Sequence, residues 1–200
     1  MNQPLTRKQR AEHLHRVIIS ERFLTKQGLG QEVPFFICPY PASEGLSMVE
    51  DRLDLIERIS HAGAKVLDLS LYELSLGILE ERGILETLIT MEQDTDKLEL
   101  RELLQGVLDV NEHLIPKIAE AINSEPHDVI FLSGVGEVYP YIRSHNVLNN
   151  LQSTAKDKPT VLFFPGNYTH STATGGSLDL FNLLHDDKYY RAFNILNYEV

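Results

Sequence analysis

The apolar positions of this chain fall into two periodicities. Five short segments read as strands: Val33–Cys38, Lys65–Leu71, Asp128–Ser133, Thr160–Phe164 and Ala192–Tyr198. The third and fourth hold unbroken β-branched and aromatic runs, the pattern of strands covered on both faces of a parallel sheet. Between them the apolar spacing changes to that of helices. Leu14, Val17, Ile18 and Leu24 share one face of a helix predicted from about Ala11 to Gln27 and stopped by Gly28. A second helix starts at Ser43 or Glu44 and ends near Ala62-Gly63, with Leu46, Val49, Leu53 and Ile56 as its expected core face. Further helices are predicted at Ser144–Ser153 and, after a polar loop, at Leu178–Leu184.

Residues 72–125 carry no strand signal. Leu100, Leu103, Leu104, Val107 and Leu108 trace one helical stripe, and Leu114, Ile115, Ile118 and Ile122 another. Turns around Leu74–Leu79 and Ile84–Ile89 meet at Gly83. A crossover between parallel strands needs one helix, and this one has room for about four. The expected fold is therefore α/β: an open, mostly parallel sheet of about five strands flanked by helices. It suits a P-loop-like or Rossmann-like sheet without a nucleotide motif, as one domain over 1–200. Within it, 1–28 form a basic N-terminal helix and 72–125 an all-helical insertion between strands two and three.

Composition narrows the classes. A hydrophobic share of 42% and a charged share of 24% are those of a soluble globular protein. No stretch approaches a membrane span, and Met1–Arg10 lacks the apolar core of a signal peptide. The single Cys38 allows no internal disulfide and fits a reducing, cytoplasmic setting. The net charge of −11 is uneven: Arg7, Lys8, Arg10, Arg16, Arg22 and Lys26 make the first 26 residues basic, against Glu12 and Glu21. The acidic remainder opposes a broad nucleic-acid surface, leaving only a local basic arm for DNA or an acidic partner.

The chemistry concentrates in Asp128–His170, where two strands end in loops crowded with glycine and polar or aromatic groups. Ligands and partners of open α/β sheets meet the carboxyl ends of strands. The first strand, however, leads into Cys38-Pro39-Tyr40-Pro41, with no glycine-rich loop followed by lysine to cradle phosphates. Gly134-Val135-Gly136 lacks the third glycine of a dinucleotide fingerprint, where Tyr139 stands instead. No acidic pair marks a magnesium site, no Gly-x-Ser-x-Gly elbow occurs, and Cys38 is expected to be a buried structural thiol. No cofactor and no metal are expected. Glu137, Arg143, His145, Asn146, Asn149, Asn150, Asn167 and His170 are the polar groups of the two loops. They form either an acid–base set with an anion clamp, or a set in which the asparagines cap a helix and pin loops while Glu137 and Arg143 pair with each other or with backbone. Tyr139, Tyr141, Arg143, His145, Tyr168 and His170 together read as a protein-contact surface, since Tyr and Arg dominate interface hot spots.

Four strings carry a resemblance: Glu21–Pro41, Gly134–Ser153, Phe163–Ser171 and Leu184–Ile195. They resemble the BrxB family of bacterial BREX phage-exclusion systems over nearly the whole chain. The resemblance implies a small cytoplasmic component of a multi-protein defence assembly. Its implied partners are a PglZ-type phosphatase-fold protein, a large ATPase and a DNA methyltransferase, with DNA touched at most indirectly. No catalytic residue is carried over. The expected function is that of a non-catalytic adaptor. The alternatives are an enzyme acting on nucleotide or nucleic acid through Glu137, Arg143 and His145, or a DNA-contacting subunit using the basic N-terminal helix.

Overall fold

A computed structural model describes residues 5–27, 34–171, 175–184 and 192–200. Five strands form an open parallel sheet in the order β2-β3-β4-β1-β6: β1 Phe35–Tyr40, β2 Val66–Ser70, β3 Val129–Ser133, β4 Thr160–Ser171 and β6 Phe193–Asn194. The alternation of side chains splits each strand between two cores. Phe36, Cys38, Val129, Phe131, Val161 and Phe163 point to one side of the sheet. There they meet helices α1 (Arg7–Ile18), α2 (Glu21–Leu24) and α3 (Gly45–His61). Phe35, Ile37, Ile130, Leu132, Leu162 and Phe164 point to the other. That side is covered by the insertion, α4 Leu71–Glu81, α5 Leu85–Glu92, α6 Lys97–Val107, a π turn at Val110–Leu114 and α7 Ile115–Ser124, and by α8 Ser144–Leu151. The fold class is the one read from the sequence, with four helices between strands two and three.

Four local expectations are corrected. The N-terminal helix is not continuous. Ser20 breaks it by donating to the Val17 carbonyl (2.6 Å) and capping α2 through the Phe23 amide (3.3 Å). Its expected stop, Gly28, and the first residue of the expected first strand, Val33, lie outside the described residues. The final strand shortens to Phe193–Asn194, because the Asn194 side chain accepts from the Leu196 amide and turns Ile195–Asn197 into a 3₁₀ helix.

The expected helix at 178–184 is instead β5, Gly175–Leu180, antiparallel to the outer half of β4. Leu178 and Leu180 are buried and alternate with Ser177 and Asp179, a period of two. Pro165-Gly166 does not end β4. Parallel pairing to β1 stops at Pro165, which has no amide to offer, and antiparallel pairing to β5 begins at Gly166. Gly166 has no substitute there, since a Cβ would lie 2.1 Å from the Asp179 carbonyl oxygen.

The fourth correction concerns α3. Its core face is Met48, Leu55 and Ile59, with Ile56 packed partly against the same core as expected, while Leu46, Val49 and Leu53 are exposed. The buried row runs through Arg52, which reaches Asp68 of β2 in an ion pair. A charge in that row concealed the true core face.

Candidate functional site

At the carboxyl edge of the sheet, β1 turns into α3 on one side while β3 leads toward α8 on the other. Such a divergence opens a crevice. Here it has a volume of about 510 Å³ and is walled by Tyr40, Leu46, Val49, Arg52, Tyr72, Glu73 and Glu137. The loop after β3 closes down on the start of α4. Gly134 adopts φ +83°, and a Cβ there would stand 3.0 Å from the Tyr72 amide nitrogen and 3.0 Å from a Glu137 carboxylate oxygen. Gly136 packs against the Phe181 ring, its absent Cβ 3.0 Å from Cζ. Both glycines of the G-x-G therefore serve close packing. Burial, then the nearby Glu137 carboxylate and Cys38, push the Tyr40 hydroxyl up to about 12, so it stays protonated and can donate into the crevice.

On the opposite side of the sheet a smaller groove of about 210 Å³ lies between the β3–α8 loop and the β4–β5 hairpin. Val135, Ile142, Leu178, Leu180 and Leu183 line it, and Tyr139 and Arg143 stand at its wall. Arg143 precedes α8 and is exposed, its guanidinium 5.9 Å from the centroid of the Tyr139 ring. That is within cation–π range. The loop is tied to the insertion by Gln105 Nε2, which donates to the Pro140 carbonyl (3.3 Å).

The six residues expected to form one contact surface therefore divide. Tyr139 and Arg143 line the groove, and Tyr141 is half-buried in the same loop. His145 is only 3% exposed, on the inner side of the first turn of α8, and Tyr168 only 6%. The Tyr168 hydroxyl donates to the Ala192 carbonyl (2.6 Å), tying β4 to the segment that carries β6. Neither side chain offers a docking surface, because burial that completes the fold removes them from reach. The His170 side chain lies outside what is described. The set Glu137, Arg143 and His145 does not assemble either. Glu137 lines the crevice, Arg143 the groove on the other side, and His145 is buried. The alternative pairing of Glu137 with Arg143 is absent among the described residues, for the same reason.

The crevice itself, and the exposed row of α3 along its rim, were not singled out from sequence. The signal was present as two apolar stripes on one helix, of which only one can face the sheet. Among the described residues no cluster of His, Cys, Asp or Glu is arranged to hold a metal ion. Among the same residues no helix is long and apolar enough to cross a membrane.

Comparison with known proteins gives a consistent family. The model of the family described as "BREX protein BrxB" matches residues 67–195. A BREX protein BrxB of Bacillus cereus (strain H3081.97) is 35% identical over 184 residues, covering 90% of this chain and 92% of that one. A BREX protein BrxB of Escherichia coli O9:H4 (strain HS) is 28% identical over 179 residues, covering 90% and 86%. No solved structure matches.

Proposed function

Because the chain belongs to the BrxB family of BREX proteins, we propose that it is a non-catalytic adaptor of the BREX phage-defence assembly, acting in the cytoplasm. Its first partner in this reading is the PglZ-type phosphatase-fold protein, with the BREX ATPase and DNA methyltransferase as further candidates. The supporting observation is the Arg143 groove. An exposed guanidinium held over Tyr139 stands beside an apolar channel lined by Leu178, Leu180 and the exposed Leu183. A groove of this size accepts one or two apolar side chains, and Arg143 can meet a carboxylate beside them through paired hydrogen bonds. Arginine and aromatic groups at such a site supply most of the binding energy of an interface.

The test is capture of each BREX protein by the purified chain and by Arg143→Ala. Truncating a hot-spot arginine costs roughly 2 kcal/mol, about a thirtyfold loss of affinity. Since Arg143 is exposed and makes no buried bond among the described residues, the unfolding midpoint should stay unchanged. Wild-type affinity of Arg143→Ala for every component would show that this groove is not the docking site.

A further inference from the structure

We infer that the outer face of α3, together with the crevice at its start, docks an amphipathic helix with basic flanks supplied by a second partner protein. Leu46, Val49 and Leu53 are 90%, 45% and 56% exposed, and their spacing of three and four residues places them in one row. They are not needed for packing, because Met48, Leu55 and Ile59 already hold α3 on the sheet. Isolated exposed apolar residues need no explanation, but a continuous row does. Leu46 and Val49 also wall the crevice, so the row runs on into it beside the exposed Tyr72.

Charge defines the occupant. Glu57, Glu73 and Glu137 enter no ion pair among the described residues, whereas Glu50 and Asp54, exposed on the row adjoining the leucines, already pair with Arg7 and Arg58. Of the arginines of α3, Arg52 stands at the crevice wall with its charge met by Asp68, and Arg58 is shared between Glu12 and Asp54. The charge left unpaired around the apolar stripe, on Glu57, Glu73 and Glu137, is therefore anionic. A helix with its own apolar row and flanking lysine or arginine complements both features. One of those cations can enter the crevice, where Glu73 and Glu137 carry the charge and Tyr40 and Tyr72 supply aromatic walls. A second copy of this chain fits poorly, since α3 against α3 would set the same carboxylates opposite one another. This surface lies on the α1/α3 side of the sheet and the Arg143 groove on the other. The inference goes beyond the adaptor reading by giving the molecule two faces of different chemistry.

Two synthetic helical peptides of about five turns serve as probes. Each carries one row of leucines, flanked in one peptide by lysines and in the other by glutamates. Fluorescence anisotropy is read against the wild-type chain, Leu46→Lys/Leu53→Lys and Arg143→Ala. The lysine-flanked peptide should bind the wild type and Arg143→Ala alike, and bind the double variant at least about tenfold more weakly. Glu73→Gln/Glu137→Gln should flatten the salt dependence of that binding. Equal binding of both peptides, or unchanged binding by the double variant, would overturn the inference. So would a wild-type dimer in sedimentation that the double variant abolishes, since the occupant would then be a second copy. In capture experiments with the BREX proteins, the double variant should lose a component that Arg143→Ala retains. If it loses none while Arg143→Ala does, the α3 surface is refuted and the groove stands. If only the double variant loses one, the groove is refuted and this surface stands.

Discussion

The thiol of Cys38 sits fully buried between Phe36 and the helices of the α1/α3 side, and burial pushes its pKa from 9.0 up to about 12. A neutral thiol in that position is inert, so a thiol reagent should label the native chain only as fast as it unfolds. The same shift links stability to pH. The folded state holds the thiol proton more tightly than the unfolded state does. Its stabilising contribution is thus complete below pH 9 and is lost as pH rises toward 12. Unfolding free energies of the wild type should fall across that window by up to about 1.4 kcal/mol per pH unit more than those of Cys38→Ala. Equal slopes would mean the thiol is not buried in solution. Tyr168 acts through a bond instead of through burial alone. Tyr168→Phe keeps the ring and removes only the hydroxyl that pairs with the Ala192 carbonyl, itself buried. The expected cost is about 1–2 kcal/mol in urea unfolding, with partner capture unaffected. Loss of capture by a stably folded Tyr168→Phe would return this residue to the contact surface.

Elements are held in place by charge as well as by apolar packing, and the junction of α1 with α3 shows how. Arg10 is buried and reaches Glu44 at 2.5 Å and Asp51 at 3.9 Å, whereas Arg7 pairs with Asp51 and Glu50 from an exposed position. Arg10→Ala should lower stability by about 1–3 kcal/mol, less than a fully buried pair because Glu44 keeps some water. Arg7→Ala should leave the unfolding midpoint nearly unchanged. The reverse order in urea titrations would show that α1 is anchored at its first turn instead. The same elements explain what the sequence could reveal. Strands β1 to β4 and the helical insertion were legible because their apolar runs are either unbroken or strictly periodic. The face of α3 was not, because its core row includes Arg52, whose partner Asp68 is distant in sequence. The β4–β5 hairpin was hidden because Pro165-Gly166 looks like a terminator, although it marks an exchange of one partner strand for another. Of the candidate site, residue types in the β3–α8 loop pointed to the Tyr139–Arg143 contact, but burial of His145 and Tyr168 depends on packing against β5 and the C-terminal segment.

For the whole molecule, the uneven charge has an internal purpose. The chain carries −11 overall, and by sequence alone the basic first 26 residues offer a local arm for phosphate. In the fold, Arg7 and Arg10 face Glu44, Glu50 and Asp51 of the α3 region. Arg22 lies 5.4 Å over the Tyr198 ring, and Lys26 donates to the Lys156 carbonyl. Arg22 and Lys26 also have no carboxylate partner among the described residues, but only exposed Lys8 and Arg16 are held by neither a tyrosine ring nor a carbonyl there, Arg16 contacting His13. Two such cations cannot release enough counterions from duplex DNA to offset repulsion by the acidic body. The isolated chain should therefore shift duplex DNA only weakly even at low salt, and not at all near physiological ionic strength. Any residual binding should show a shallow slope of log affinity against log salt, on the order of two phosphate contacts. Lys8→Ala/Arg16→Ala should abolish it. A dissociation constant tighter than about 1 μM at physiological salt, lost in that double variant, would instead make the N-terminal helix a DNA-contacting element. The adaptor reading would then have to give way to a subunit that brings DNA and protein partners together directly.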